Sequence, residues 1–327
     1  MPRLHALLGA LGACGRLNRF TAQWHFAHHI PLAAHPLFAR PSASTREPLR
    51  PQRVPEDAFA VLWIGAFDEQ CDVDTLFEGL ELAMAANPKI HFVSAGGQAG
   101  NLEEPTYRRF LALVEKSEHP SRYHLLGWVD VHELPALCRE CDLGVCVDAM
   151  QYETLFGVRL RILAMLAAGL PVACALGSEI SHILQEEEIG LVFPAGSAED
   201  FADAIVRASQ RPTEIRALGQ RGRNHATRYF TVAEQTRAFA EWVDRPALAP
   251  DNAEKARRAG GLELFQDVAL NAIQETFARL GGDDIRDLVQ AKIDVDAIRA
   301  KWWYDLGRRA KRSSLAALRK ARIVRPQ

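Results

Sequence analysis

The sequence has no apolar stretch long enough to cross a bilayer. The run Ile162 to Leu176 falls short of the ~20 apolar residues that a spanning helix needs and is interrupted by Gly169 and Pro171. A strong charge of either sign is also missing: the formal net charge is -2, which excludes a generally polybasic nucleic-acid binder. Six cysteines (Cys14, Cys71, Cys138, Cys141, Cys146 and Cys174) are too few and too scattered over 327 residues for a disulfide framework, and they point to a reducing compartment. The one close pair, Cys138-x-x-Cys141, has no second Cys or His pair to complete a zinc site, so it reads as core packing and no metal is expected. Met1 to Cys14 has a positive residue and an apolar stretch, but Gly9 and Gly12 break that stretch, and export is not expected. No internal repeat is present.

What is there is an ordinary globular composition, 48% hydrophobic and 24% charged, in a chain long enough for about two domains. Prolines 36, 41, 48, 51 and 55 mark residues 36–57 as an extended, exposed linker. Beyond it, short apolar runs alternate with helical patterns. Strands are expected at Phe59–Ile64, Ile90–Ser94, Tyr123–Leu126, Leu143–Val147, Pro171–Ala175 and Gly190–Phe193. Between them the helical spacing predicts Asp74–Ala86, Thr106–Lys116, Glu133–Arg139, Val158–Ala168 and Ser178–Glu188, with closing helices to Val243. Buried strands alternating with helices imply βαβ units, hence a Rossmann-like, doubly wound parallel sheet of the α/β class. Such sheets bind ligands beyond the carboxyl ends of their strands. After a boundary at Pro246–Asp251 the chain reads as a helical extension, 251–327, with apolar positions Leu262, Phe265, Val268, Ala272, Ile273, Phe277 and Leu280 at helical spacing.

Several segments carry a resemblance to one family. They are Val61-Leu-Trp-Ile-Gly-Ala66, Leu125-Leu-Gly-Trp-Val129, Cys141-Asp-Leu-Gly-Val145, Tyr152-Glu-Thr-Leu-Phe-Gly-Val-Arg-Leu-Arg-Ile-Leu163, Ala168-Gly-Leu-Pro-Val172 and Gly190-Leu-Val-Phe-Pro194. In this order and at these spacings the chain resembles the retaining GT-B glycosyltransferases of family 4, which build polysaccharides and lipid-linked glycans from nucleotide sugars. The resemblance implies that 58–245 is the nucleotide-sugar-binding donor domain and that 1–35 is a remnant of the acceptor domain with the crossover. It further implies that most of the acceptor domain is missing, because of a late start codon, a truncated gene or a separate chain supplying that half. The nucleotide sugar would be a substrate, so no cofactor is expected.

The residues after the fourth strand matter most. A helix beginning near Gly157 would present free N–H groups and the positive end of its dipole to a diphosphate, with Arg159 and Arg161 adding forked cationic donors. Two solvated surface arginines is the plainer alternative. The resemblance implies that Glu153 contacts the donor sugar, where its carboxylate could stabilise positive charge at the anomeric carbon. It also places Ala164 where the family has the acid that holds the ribose, so ribose binding is expected to be weak. Gly65 is the expected close-approach glycine, followed by an acidic loop (Asp68, Glu69, Asp72, Asp74) where the family often has Arg and Lys. Gly127, Trp128 and Val129 match the base-pocket segment, although Trp128 fits the core equally well. Glu179 matches another acidic donor position, with capping by Ser178 as the competing explanation. No catalytic base is identifiable; His28 and His29 fall at the crossover and read as surface residues.

The leading expectation is thus glycosyl transfer with retention to a glycan or lipid-linked acceptor. The alternative is a non-catalytic donor-domain module that binds nucleotide or a partner chain, and a sugar-nucleotide epimerase is a remoter one. From Lys301 to Gln327 nine basic residues face Asp305 alone, so the rest of the chain carries about -10. Val295, Ile298, Trp302 and Leu306 recur at helical spacing beside them, which suits peripheral attachment to the anionic inner face of the cell membrane. Liposome flotation tests this: the full chain should float with anionic vesicles at low salt and sink at high salt, and a chain ending at Ala300 should sink in both. Equal flotation of the shortened chain would rule the tail out as an anchor.

Overall fold

The computed structural model describes residues 2–40, 45–98 and 105–251. The expected helical extension and basic tail lie outside the described residues. Six strands form one parallel sheet: β1 (Phe59–Ile64), β2 (Ile90–Ala95), β3 (Tyr123–Leu125), β4 (Leu143–Cys146), β5 (Val172–Leu176) and β6 (Leu191–Pro194). Eleven α-helices accompany it among the described residues. Two precede the sheet, α1 (Pro2–Ala13) and α2 (Pro36–Ala39), and α3 (Val73–Ala86), α4 (Pro105–Val114) and α5 (Leu134–Glu140) connect its first strands. They are followed by α6 (Tyr152–Phe156), α7 (Leu160–Ala168), α8 (Glu179–Glu186), α9 (Ala198–Gln210), α10 (Pro212–Tyr229) and α11 (Val232–Asp244). Strand order is β3-β2-β1-β4-β5-β6, so the winding reverses between β1 and β4.

The period-2 geometry of a strand explains the two cores. In β1, Phe59, Val61 and Trp63 face one side, where α3 and α9 cover them with Leu76, Leu80, Phe201 and Ile205. Ala60, Leu62 and Ile64 face the other, against Leu163 and Leu166 of α7 and Leu137 of α5. Both faces are apolar because both are covered, as parallel sheets require.

The proline-rich stretch is not an exposed tether. Phe38, Leu49 and Val54 are buried in the α7 side of the core. Arg46 pairs with Glu140 at 2.8 Å and Arg50 with Asp142 at 2.5 Å, and the Asp142 carboxylate also accepts the Ala60 N–H. Proline removes donors but not side chains, and three apolar residues among the prolines were enough to bind the segment down. The N-terminal residues and this stretch form one compact unit with the sheet, Met1–Ala249. The cysteine pair is core packing as expected: Cys138 and Cys141 are free and buried, and burial pushes the Cys138 thiol up to about 12. No group of three metal-ligating side chains is found among the described residues, nor any helix long and apolar enough to cross a membrane.

His91 on β2 and His124 on β3 face each other, Nδ1 to Nε2, at 3.0 Å. Burial lowers both pKa values, to about 4 for His124, helped by its neighbour's imidazole and by Arg53. The folded state therefore holds fewer protons than the unfolded chain between pH 6.5 and 4. Stability should be flat above 6.5 and fall as pH drops through that window. For His124, which is partly exposed, the loss is on the order of 1–2 kcal/mol after screening is allowed for. Urea unfolding of the wild type and of His124→Asn should give a shallower pH dependence for the variant, and parallel curves would remove the pair from the account.

Candidate functional site

A crevice opens at the carboxyl ends of β1 and β4, where the strand order reverses and ligands of doubly wound sheets bind. It is lined by Ile64, Gly65, Asp68 and Gln70 from the β1 side and by residues 158–161 from the start of α7. The loops after β1 and β4 are stitched together across it: the Asp72 N–H donates to the Val147 carbonyl at 3.1 Å, and the Ala149 N–H to that of Gln70 at 2.8 Å. A second, more enclosed cavity lies at the opposite end of the strands, between Phe59, Cys141, Pro171 and Ile215. The amino ends of such strands are not where these sheets bind ligands, so the crevice is the candidate.

The helix expected at Val158–Ala168 is α7, which starts two residues later, and a short helix that was not expected, α6, precedes it. α6 ends at Gly157, which has extended backbone, and α7 begins at Leu160. Gly157 therefore closes a helix instead of opening one. A Cβ there would lie 2.3 Å from the Glu153 carbonyl oxygen and 2.6 Å from Arg159 Nη1, so the missing side chain admits the protein's own backbone and guanidinium.

The two arginines have different surroundings. Arg159, outside the helix, is 7% exposed, and its Nε donates to Asp148 Oδ2 at 2.5 Å and its Nη2 to Thr154 Oγ1 at 3.3 Å. Thr154 Oγ1 donates in turn to the Ala149 carbonyl at 2.6 Å, so this buried pair anchors α6 to the end of β4. Arg161, in the first turn of α7, crosses over the end of β1. Its guanidinium lies 4.5 Å above the Trp63 ring, and Nη2 donates to the Ala66 carbonyl at 3.0 Å. Asp68 Oδ2 is 3.8 Å away, and Nη1 is buried with no partner among the described residues.

The other expected site residues are not part of this crevice's lining. Glu153 is exposed in the first turn of α6. Gly127 has the positive φ of +69° that its turn requires. Trp128 is not in the core: it is 61% exposed, with Nε1 donating to the Gln98 carbonyl at 2.7 Å. Val129 packs partly against the α7 side of the core, as does Ala164. Ser178 does cap α8, accepting the Ser181 N–H at 3.3 Å, and the Glu179 carboxylate lies 3.4 Å from His29 Nε2. His29 is thus held against α8. The crevice brings together Gly65, Arg159 and Arg161. Sequence reasoning did not select Gln70 and Leu134 as site residues; each follows a strand's carboxyl end in the chain, which is the one signal that could have found them.

Residues 58–211, a span that takes in the whole sheet and its covering helices through α9, match the family described as Glycosyl transferases group 1. A D-inositol 3-phosphate glycosyltransferase from Saccharomonospora viridis is 29% identical over 202 residues, which are 60% of this chain and 44% of that protein. The sucrose-phosphate synthase of Thermosynechococcus elongatus superposes with a TM-score of 0.56 at 22% identity, over 69% of this chain and 55% of that one. The glycosyltransferase WaaG, involved in lipopolysaccharide biosynthesis, does so at 0.50 and 18%, over 67% and 56%. The chain spans about half the length of these relatives. The likeness bears out the Rossmann-like doubly wound sheet with GT-B-type neighbours.

Removing one partner of a buried ion pair leaves an uncompensated charge, which costs about 3–5 kcal/mol. Asp148→Ala should therefore lower stability by roughly that amount. Asp148→Leu combined with Arg159→Met should recover most of the loss, read from urea midpoints. Additive losses in the double variant would show that the pair does not act as a unit.

Proposed function

We propose that this chain is the donor-binding half of a retaining glycosyltransferase of family 4. On this reading it takes a nucleotide sugar at the crevice and serves transfer of a hexosyl group to a polysaccharide or lipid-linked glycan. The observation that supports it most is Arg161: a buried cation, fixed by Trp63 and the Ala66 carbonyl, at the start of a helix and at the switch point of the sheet. The helix N-terminus and an unpartnered guanidinium nitrogen together favour a diphosphate.

In this proposal Arg161 carries the diphosphate contact. Arg159 acts through the crevice wall, since its guanidinium is already engaged by Asp148. Gly65 and the backbone at Leu160 and Arg161 complete the phosphate side, and Glu153 meets the donor sugar. Gly127, Trp128 and Val129 take the base, with the indole of Trp128 held in place by the Gln98 carbonyl. Glu179, tied to His29, closes the remaining side. Chemistry requires an acceptor held against the donor, which a second domain or partner chain would supply. Attachment to an anionic membrane on the cytoplasmic face belongs to the same proposal. The second reading is a module that binds nucleotide without turning it over.

Isothermal titration with UDP, GDP and dTDP should show at least one binding. Arg161→Ala should weaken it by about 1.5–3 kcal/mol, the range for a hydrogen bond to a charged group. Unchanged affinity in that variant would falsify the phosphate role. Product analysis with candidate donors and acceptors then separates the two readings: transfer supports the enzyme, and binding without transfer supports the module.

A further inference from the structure

The crevice holds a carboxylate where an anion is expected to sit. Asp68 lines it beside Gly65, with one oxygen committed and the other left facing the cation. Its Oδ1 accepts the Gln70 N–H at 3.0 Å and lies 3.5 Å from Cys71 Sγ, while Oδ2 is 3.8 Å from Arg161 Nη2.

Two effects of this carboxylate oppose each other. It could hold Arg161 in place for a ligand, or it could repel the ligand's phosphates. A separation of 3.8 Å is beyond hydrogen-bonding range, and the Asp68 side chain is 41% exposed. The Ala66 carbonyl at 3.0 Å and the Trp63 ring already fix the guanidinium. The ordering effect is therefore small. Repulsion of an incoming anion falls only as the inverse of distance and grows with the anion's charge.

We infer that Asp68 is a charge filter that favours a nucleoside-diphosphate sugar over the free nucleoside diphosphate. This rests on the proposed reading of the crevice. A diphosphate esterified at both ends carries about two negative charges near neutral pH, whereas the free diphosphate gains about one more from its terminal phosphate, whose second pKa is near 6. A fixed carboxylate penalises the second species more. The filter therefore weakens retention of the nucleotide product relative to the donor.

Asp68→Asn is the informative variant, because the amide oxygen can still accept the Gln70 N–H and keep the turn. Glu69→Gln removes the same charge from an exposed neighbour and serves as the control. Binding is measured by titration with UDP and UDP-glucose and with GDP and GDP-mannose, using whichever pair binds, and with the parent nucleoside. In Asp68→Asn the free diphosphate should tighten about tenfold and the diphosphate sugar about threefold, with the nucleoside unchanged, in line with charge interactions screened by an open cleft. Glu69→Gln should leave the ratio of the two affinities as in the wild type. Affinities that do not change, that weaken, or that shift equally for the uncharged nucleoside would overturn the filter alone. A wild type and variant that bind no nucleotide at all would overturn the reading of the crevice and the filter with it.

Discussion

At the carboxyl ends of β1 and β2 the two backbones come so close that a Cβ on Gly96 would lie 1.9 Å from the Gly65 carbonyl oxygen. Gly65 itself has φ of +95°, which carries the chain off the end of β1 and turns it over the sheet. The contact is maintained by the Gly65 N–H donating to the Ala95 carbonyl at 2.9 Å and the Phe67 N–H to that of Gly97 at 3.1 Å. The Arg161 guanidinium crosses this strand end 3.8 Å from where a Cβ on Gly65 would stand, an ordinary contact distance, so glycine is required there by its φ and not by the cation. It then stacks on Trp63, whose indole N–H donates to the Gly65 carbonyl at 3.2 Å. Two glycines thus set the course of the chain at the strand end over which the cation lies.

Two arginines only two residues apart end in opposite environments because a helix starts between them. Arg159 has φ of -100° and ψ of 87°, outside the helix, and its side chain turns inward to Asp148. Arg161, one residue into α7, follows the helical direction and reaches the crevice. A sequence pattern with period 3.6 does not register this, since a break of three residues between α6 and α7 leaves the apolar spacing of Ile162, Leu163 and Leu166 intact. The acid that neutralises Arg159 is eleven positions earlier, at the end of a strand, where Asp148 looks like any loop aspartate.

The sheet, by contrast, was legible because parallel strands covered on both faces leave continuous apolar runs that no loop would carry. Every expected strand is present with ends shifted by at most a residue or so. The proline-rich stretch was misread for a related reason: proline density signals extended backbone but says nothing of burial, and the information lay in Phe38, Leu49 and Val54. The close approach of Gly65 was legible as a glycine following an apolar strand. That Gly157 serves the protein's own guanidinium was not, because glycine tolerates a ligand and a neighbouring side chain equally well.

Exposure around the crevice is uneven in a way that composition hides. Single exposed apolar side chains are ordinary. Met150, Tyr152, Leu155 and Leu160, however, are exposed within eleven residues of loop and short helix beside the β4 end, and Trp128 is exposed at the β3 end of the same edge. An edge that presents indole, phenol and aliphatic groups around a buried cation has low affinity for water and a fixed positive centre. Covering it removes solvent from around Arg161, and a lower effective dielectric strengthens the attraction of that guanidinium for an anion. The same covering strengthens the repulsion between Asp68 and that anion. On the proposed reading of the crevice, the balance between Arg161 and Asp68 would decide which anions it retains.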